Sequence, residues 1–480
     1  MSGTVTTVVG GANLTIPYDN SGDSVTIPFT SANSANYVNT TFVNPIENYA
    51  PTQQSDFITN PSQIALGLPN PSAPTAIFAD FQTPGQSTLD LSNQDAYAVV
   101  NASTVPVTIN AADPSLQYVV NSNAGTTMSV TSATGEAAFA GGDNVVQTGT
   151  TGIEGWYFDF EGGVNTIVAA DGNNTITGSA QSNLMFLGSG QNIIYSEGTD
   201  TIVGTTVSGA GAADTVKAIG PALDFGGAAS LTFIDASASN ASLPGGTGTV
   251  VGGSGALSVF GATGNVTAFG GTSSGEELVG GTGGNNVLVA QSADDIVYGA
   301  GAGNIIVAGP NATASTLVGS ASGTSYLFGN QNATGNLFGG PLNASGATDW
   351  VIPVAGSNTI FGGNSDTDFS YIFTGTGNNT IYGAQGIDYV QAGSGANTIY
   401  DSSGYTLIGF VNGGSGGTVD ISGFNPANAG LVLDGYASGT ASNAIASASI
   451  ANGSTSFTLP DHTRVTLLGY TAPLTHASFV

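Results

Sequence analysis

A nine-residue alternation of glycine, polar and aliphatic positions runs without a change of phase from Gly375 to Asp401. The three successive units are Gly377, Asn379 and Ile381, then Gly386, Asp388 and Val390, then Gly395, Asn397 and Ile399. Glycine allows the positive φ of a tight turn, and one aliphatic side chain per unit cannot form a core alone. The pattern therefore predicts a short strand and a turn per unit, stacked into coils that share a core.

The same frame returns in other parts of the chain. The first group is Gly163, Asn165 and Ile167, then Gly172, Asn174 and Ile176, then Asn183 and Met185 without the glycine, then Gly190, Asn192 and Ile194. Further units contain Gly252, Gly261 and Gly270, then Asn286 and Leu288, Asp295 and Val297, and Asn304 and Ile306. Between Leu317 and Gly339 the period is ten, which predicts one extra turn residue per coil. The repeat region is therefore placed at about 141–420, with loop insertions near 205–245 and 340–355.

The regions on either side of the repeats have a different pattern. Residues 1–140 contain most of the prolines, and the similar segments Leu14–Tyr18 and Val25–Phe29 predict two strands around a turn. No helix of consequence is expected there. The chain is predicted to be an all-β protein. A parallel β-solenoid of the β-roll or β-helix type (141–420) would lie between a β-rich N-terminal assembly domain (1–140) and a C-terminal β cap with an export segment (421–480).

The frame resembles the RTX nonapeptide, G-G-x-G-x-D-x-U-x, of hemolysin-type secreted bacterial proteins. The resemblance covers more than half of the chain, and it implies a parallel β-roll in which sixth-position aspartates bind calcium between coils. In this chain that position is mostly asparagine, and the aspartates in frame are Asp295 and Asp388. The asparagines predict neutral ladders instead, because each amide can donate to one neighbouring coil and accept from the other.

Calcium is nevertheless the cofactor that the acidic residues favour. Carboxylates beside glycine turns suit a hard cation, and the candidate ligands are Asp294, Asp295, Asp366, Asp368 and Asp388. Glu276 and Glu277 form a further oxygen cluster. Because asparagine occupies most in-frame positions, a few calcium ions are expected rather than a filled row.

Composition restricts the class of partner. The 480 residues include 31 acidic side chains but only Lys217 and Arg464 as cations, for a net charge of −29. Nucleic acid and anionic membrane surfaces require a cationic footprint and are not expected as partners. Close packing of many copies would be repulsive unless divalent cations screen the charge. The absence of cysteine excludes disulfides and thiol chemistry.

Catalytic motifs are weak, and the chain is not expected to be an enzyme. Ser415 lies in a G-x-S-x-G pattern, followed by Asp434 and His462, but the pattern arises by chance in a chain rich in glycine and serine. The H-E-x-x-H motif of RTX metalloproteases is absent, since the other histidine is His476. A glycosidase would need paired carboxylates, and the best cluster is Glu154, Asp159 and Glu161 around Trp156 and Tyr157.

The two ends of the chain suggest a route of export. No signal peptide is recognised in the first residues, and no apolar run is long enough to span a membrane. The last 25 residues resemble the uncleaved export segment of type I secreted RTX proteins, with a predicted hairpin over Leu459–Gly469 and an apolar terminus. The expected location is extracellular, at the bacterial cell surface.

These observations favour a secreted structural protein that forms a homopolymer, as a surface layer or an extracellular fibre. The first alternative is an adhesin that binds cell-surface or matrix polysaccharide, for which exposed aromatic residues along one solenoid face would be diagnostic. The second alternative is a carbohydrate-active enzyme. The uncharged segment Thr4–Val9 is either a strand exchanged between copies or a strand paired within its own domain.

Overall fold

The structure of the chain is a computed structural model. The residues it describes are 3–18, 22–49, 55–59, 63, 75–85, 87–92, 94–112, 115–131, 134–149, 155–169, 171–205, 213–218, 222–225, 230–235, 248–253, 257–261, 265–332, 335–339, 346–363, 365–383, 385–414 and 416–480. They fall into two compact units, Met1–Asn240 and Ala241–Val480.

Within its described residues, the first unit has 21 named strands, most of them short, and helical segments near its N-terminus. The helical segments are α1 (Ala32–Val38), a π-helical turn (Asn39–Val43) and α2 (Asn44–Tyr49). The strands are β1 (Thr4–Val8), β2 (Gly11–Pro17), β3 (Ser24–Phe29), β4 (Ser55–Ile58), β5 (Thr75–Ala79), β6 (Thr88–Asp90), β7 (Ala96–Asn101), β8 (Val107–Ala111), β9 (Tyr118–Asn121), β10 (Thr126–Val130), β11 (Gly135–Phe139), β12 (Val145–Thr148), β13 (Trp156–Phe160), β14 (Thr166–Ala169), β15 (Thr175–Thr177), β16 (Leu184–Leu187), β17 (Gln191–Ser196), β18 (Asp200–Val203), β19 (Ala213–Ala218), β20 (Ala222–Phe225) and β21 (Ser230–Asp235).

The second unit continues the series and ends in a small mixed cap. Its strands are β22 (Gly248–Val251), β23 (Leu257–Gly261), β24 (Val266–Phe269), β25 (Glu277–Val279), β26 (Val287–Ala290), β27 (Ile296–Tyr298), β28 (Asn304–Ala308), β29 (Thr316–Val318), β30 (Gly323–Phe328), β31 (Leu337–Gly339), β32 (Ala347–Ile352), β33 (Thr359–Phe361), β34 (Phe369–Phe373), β35 (Thr380–Tyr382), β36 (Ile387–Ala392), β37 (Ala396–Tyr400), β38 (Tyr405–Val411), β39 (Thr418–Ser422), β40 (Ala429–Asp434), β41 (Ser449–Ala451), β42 (Ser454–Thr458) and β43 (Arg464–Leu468). Helix α3 (Thr440–Ser447) and a 3-10 turn (His476–Ser478) complete the cap.

Each unit is a parallel β-solenoid in which one coil contributes one strand to each of two sheets. Among the solenoid strands from β5 to β40, odd-numbered strands of a unit pair with odd-numbered neighbours (the odd sheet) and even-numbered with even-numbered ones (the even sheet), and β4 joins the odd sheet by pairing with β5. Ile381 pairs with Ile399, 18 positions later, whereas Val390 lies between them in sequence and belongs to the even sheet. A coil therefore spans two nine-residue units. This confirms the predicted solenoid.

The aliphatic positions of the frame form the core between the two sheets. Ile381, Val390 and Ile399 are almost completely buried, as predicted. Each large aliphatic side chain removed from water contributes roughly 1.5–3 kcal/mol. Since strands of one sheet stack in register, these side chains pack on the equivalent residues of adjacent coils. The core therefore extends along the coils of each unit.

The ten-residue period was interpreted incorrectly. Leu317 pairs with Phe338, 21 positions later, so the coil gains three residues rather than one per turn. Phe338 is buried and Leu337 is exposed, because a shift of one residue in a strand reverses the direction of its side chains. The expected loop insertions are also wrong in part: β19, β20 and β21 lie within 205–245, and β32 lies within 340–355.

The N-terminal segment combines an antiparallel sheet with helices. Strands β1, β2 and β3 pair in that order, which confirms the two strands predicted around a turn and places β1 against β2 of its own chain. The segment 32–49 is helical, so the expectation of no helix of consequence is wrong. Ser31 caps α1 by accepting a hydrogen bond from the Ser34 N–H at 3.0 Å. A buried stripe at Ala35, Val38 and Phe42 has the spacing of an amphipathic helix.

This segment packs on the outer surface of the odd sheet. The shared core contains Phe42, Phe78 and Val120, and the Tyr37 hydroxyl hydrogen-bonds the Tyr157 hydroxyl at 2.8 Å. Parallel pairing already includes β5, β7 and β9, so it begins before the glycine frame at residue 141. These coils lack the glycine frame, which is why periodicity alone did not include them.

The C-terminal cap closes the odd sheet of the second unit with antiparallel strands. Strand β43 pairs in parallel with β39, and β42 and β41 follow in antiparallel order. The chain end returns to the even sheet, where the Val480 N–H donates to the Leu431 carbonyl at 3.0 Å. The final hairpin was predicted over Leu459–Gly469. In the structure it begins earlier, because β43 pairs with β42, which starts at Ser454.

Candidate metal centres

Asparagine side chains at the inner corners of the coils form ladders of hydrogen bonds from coil to coil. The Asn144 amide donates to Asn165 Oδ1 at 2.8 Å, and the Asn165 amide donates to Asn183 Oδ1 at 2.8 Å. Asn183 then donates to Asp200 Oδ1 at 2.6 Å. All four side chains are buried. The predicted stacking of asparagines is confirmed for this ladder.

The remaining hydrogen-bonding capacity of these amides is used by the backbone. Asn144 also donates to the Gly142 carbonyl at 2.8 Å, and its own N–H donates to Asn165 Oδ1 at 3.3 Å. A carboxamide suits this position because it both donates and accepts. A buried polar group without a partner would cost about 1–3 kcal/mol. The asparagine corners of this ladder are therefore satisfied without a metal ion.

The second unit has equivalent ladders. Asn358 donates to Asn379 Oδ1 at 2.9 Å, and Asn379 donates to Asn397 Oδ1 at 2.9 Å. Two ladders of the first unit end on a carboxylate: Asp200 receives the last bond of one, and Asp214 receives a 2.8 Å bond from Asn192 in the other. A carboxylate can end a ladder because it accepts and has no amide hydrogen to place.

Carboxylates at other corners interact electrostatically in pairs. Asp349 and Asp388 point inward from the even sheet and are separated in register by Ser370. Burial raises the pKa of Asp349 to about 7, with a contribution from the negative charge of Asp368. Burial likewise raises the pKa of Asp401 to about 6, and the charge of Asp388 adds to it. We treat Asp349 with Asp368 and Asp388 with Asp401 as the candidate metal centres.

A third acidic pair lies in the odd sheet. Burial raises the pKa of Glu276 to about 7, opposed by a hydrogen bond from the Gly271 N–H and assisted by the charge of Asp295. Asp295 accepts bonds from the backbone N–H groups of Ser292 at 2.9 Å and Gln291 at 3.1 Å. Asp295 is thus stabilised by the backbone, whereas Glu276 depends more on a proton or a cation.

Some carboxylate oxygens at these corners have no hydrogen-bond partner in the described part of the chain, and a calcium ion could take that place. Asp349 Oδ1 and Glu276 Oε1 are buried and have no hydrogen-bond partner within the described residues, and a Cβ at Gly319 would collide with Asp349 Oδ1. Calcium requires six to eight oxygen ligands. The described ranges contain no group of three or more His, Cys, Asp or Glu side chains placed around one point. A calcium ion would therefore be held by a carboxylate pair, with backbone carbonyls and water as the other ligands.

The five aspartates selected from the sequence are found in two environments. Asp295, Asp368 and Asp388 are buried at inner corners. Asp294 and Asp366 are exposed on turns, and Asp294 has a φ of 62°. The structure does not bring the five together in one site, because they belong to separate coils. Their role as calcium ligands stays a prediction.

Two further candidates, Asp349 and Asp401, were not selected from the sequence. Asp349 lies in a segment that was assigned to a loop insertion. It has an aliphatic residue, Val351, two positions later, so it matches the polar and aliphatic part of the frame. Asp401 follows β37 and approaches Asp388 only through the stacking of coils. Asp349 and Asp401 can therefore be recognised only when the register between neighbouring coils is known.

The structure describes only some of the residues considered for catalysis. Asp434 and His462 are both exposed and no hydrogen bond joins them, and Ser415 lies outside the described residues. Trp156 is 2 % exposed and points into the core, so it offers no platform for a sugar. Burial and the charge of Glu161 raise the pKa of Asp159 to about 7. Glu154, the other carboxylate considered, is also outside the described residues.

Comparison with protein families finds the RTX calcium-binding nonapeptide repeat (4 copies) at residues 161–194, 275–311 and 371–404. Neither the curated proteins nor the solved structures gave a match. The matched segments contain Asn165 and Asn183 of the first ladder, Asn379 and Asn397 of the ladder in the second unit, and the acidic pair of Glu276 and Asp295. The chain therefore contains calcium-binding RTX repeats, which are typical of secreted extracellular proteins. No helix within the described residues has both the length and the apolar character needed to cross a membrane.

We predict that Asn379→Asp destabilises the solenoid. The substitution removes amide bonds to Asn397 Oδ1, to the Thr374 carbonyl and to the Gly377 carbonyl. The expected loss is about 1–3 kcal/mol of unfolding free energy at pH 7, and it should diminish below about pH 4, where the new carboxyl is neutral. Chemical denaturation measures it. Asn378→Asp is the control, since Asn378 is exposed and uses only its oxygen; equal losses in the two variants would contradict the ladder.

We also predict that Asp349 makes stability depend on pH in calcium-free buffer. Because its folded pKa is raised to about 7, the native state retains a proton that the unfolded chain releases near pH 4. The unfolding free energy should therefore fall as the pH rises from about 4 to about 7. Calcium should restore stability at neutral pH.

Asp349→Asn should flatten this pH profile and weaken the response to calcium, measured by thermal unfolding with and without the ion. The control is Asp366→Asn, because Asp366 is exposed. If the two variants respond equally to pH and calcium, Asp349 is not the responsible group.

Proposed function

We propose that this protein is a secreted structural protein that assembles with copies of itself into a surface layer or an extracellular fibre. The observation that supports this most is a partly exposed apolar surface on the even sheet of the second unit. Its central column contains Ile305, Tyr326, Trp350, Tyr371, Tyr389 and Leu407. We name the outward residues of β28, β30, β32, β34, β36 and β38 the aromatic face. Such surfaces on soluble proteins commonly mark contact sites.

Charge supports a role for calcium in the proposed assembly. Copies with a net charge of −29 repel one another, and two cationic side chains cannot compensate. Calcium bound at the carboxylate pairs would lower the net charge and replace the protons that these pairs otherwise require. Calcium would therefore favour both the folded coil and the approach of copies. The proposal includes no catalytic step.

Polysaccharide binding is the alternative, since exposed aromatic residues do run along the solenoid. A second column, in the odd sheet, contains Phe361, Tyr382 and Tyr400, each more than a third exposed. The ring centroids are 5.1 and 4.9 Å apart, and the rings are tilted by 13° and 7°. Both faces of Tyr382 are thus covered by neighbouring rings. A sugar packs its C–H groups on an open aromatic face, so Tyr382 offers no such face to a polysaccharide.

We predict that purified protein assembles in millimolar calcium and that chelation disperses the assemblies before the fold is lost. The amide ladders do not require a metal, whereas the electrostatic repulsion between negatively charged copies must be screened. Negative-stain microscopy would follow assembly and circular dichroism would follow the fold. Loss of all β signal in chelator would contradict the prediction for the fold, and monomers under every calcium concentration would contradict the proposed assembly.

We further propose that residues 459–480 carry an export signal for type I secretion. Deleting them would also remove β43, whose Val465 and Leu467 are buried against β39. A fusion of 459–480 to a cysteine-free reporter, co-expressed with a type I exporter, is therefore the cleaner test. Reporter should accumulate in the medium, and a fusion to residues 3–24 should stay in the cells. Equal retention of both reporters would remove the support for this route.

A further inference from the structure

We propose that the aromatic face is the surface through which two copies of this chain pair, each presenting this same face to the other. The inference rests on the proposed self-assembly and specifies its contact. The aromatic face has three columns of side chains, a central one and two outer ones, which the parallel register of the strands aligns. The two outer columns contain Phe369, Ile387 and Tyr405 on one side, and Val307, Phe328, Ile352 and Phe373 on the other.

The side chains of the face are positioned by stacking along the solenoid. Trp350 stacks on Tyr371 at 4.6 Å between centroids, with ring planes within 19°. Phe373 also stacks on Trp350 at 5.8 Å. Rings held in this way lose little conformational freedom on association, because their rotamers are already restricted. They present their edges outward as a flat surface, which suits packing of one sheet against another at about 10 Å.

Charge is absent from the face although the chain is strongly acidic. None of the outward residues in the three columns is charged, and the polar ones are neutral, as in Thr348 and Gln391. Asp434 approaches Tyr389 at one border and raises the pKa of that tyrosine together with burial. An uncharged surface can be buried without desolvating a carboxylate. The same face of a second copy is also uncharged, so the two faces can be buried together. A surface that bears carboxylates could be buried only at the cost of desolvating them.

The odd sheet of the same unit is less suited to this contact. Its outward positions include Glu277 and Asp420, in register with the columns of that sheet. Two copies that met through these positions would bring like charges together. The aromatic face is therefore the side of the second unit on which copies approach with the least repulsion.

The size of the face indicates a weak pairwise contact. Six strands spaced about 4.8 Å apart, with about five residues each at 3.3 Å, cover roughly 450 Å². A stable pair usually buries about 800 Å² on each partner. A contact smaller than this gives reversible pairing that depends on concentration. Pairing through a like face is isologous, so it closes at two copies, and a layer or fibre needs at least one further contact.

The test compares two glutamate substitutions in full-length protein. Tyr371→Glu places a charge at the centre of the aromatic face, and Tyr382→Glu places the same charge in the stacked column of the odd sheet. Sedimentation velocity in calcium should show a dissociation constant for the pair raised at least tenfold by Tyr371→Glu and changed less than threefold by Tyr382→Glu. Thermal unfolding establishes that both variants are folded.

A second measurement keeps the test decisive if Tyr371→Glu fails to fold. The chain has no cysteine, so Tyr371→Cys and Tyr382→Cys each introduce a single thiol. A short homobifunctional crosslinker should trap dimers of the first variant and not of the second. Equal trapping of the two, or unchanged pairing of Tyr371→Glu, overturns the proposed contact while leaving self-assembly intact. Unaltered protein that stays monomeric overturns both, and capture of a polysaccharide lost in Tyr371→Glu assigns the face to a glycan instead.

Discussion

Hydrogen bonding from one coil to the next is the constraint on which the solenoid depends. Backbone groups of each strand are satisfied only by strands of the adjacent coils, and the inner corner adds a side chain that must be satisfied in the same direction. Asn379 does this by accepting from Asn358 and donating to Asn397. The amide fixes the spacing and register of three coils at once. Regular stacking of outward side chains follows from this inner contact.

The choice between asparagine and aspartate at a corner determines how that coil responds to its environment. An amide corner is neutral and self-sufficient, whereas the carboxylate of Asp349 is buried beside Asp368 without a cation from the chain. With two cationic side chains in 480 residues, the remaining partners are a proton and a metal ion. Asparagine at most corners therefore predicts a fold that needs no ion, and aspartate at a few predicts local sites that respond to one.

Sequence periodicity predicts the buried positions that recur in every repeat, but it does not predict contacts that depend on the register between coils. Ile381, Val390 and Ile399 were predicted inward because glycine, amide and aliphatic residue kept one phase. Leu337 repeats the phase of the buried Leu317 and Leu327 but is exposed, because the longer coil shifts the strand by one residue, which no local pattern reveals. The helical segment 32–49 contains few strong helix formers, and its buried stripe is stabilised by packing on the odd sheet rather than by propensity. Asp349 was missed because a site between coils joins residues about 20 positions apart.

The inner corners and the aromatic face are connected because adjacent residues of one strand point in opposite directions. On β32, Asp349 points inward and Trp350 points outward, and on β36 the same holds for Asp388 and Tyr389. A cation held at the Asp349 corner would fix the strand that carries Trp350, and with it the 4.6 Å stack on Tyr371. Repulsion between unneutralised carboxylates would instead separate the coils on which that stack depends. Calcium can therefore influence the outer surface from inside the solenoid, without bridging two copies.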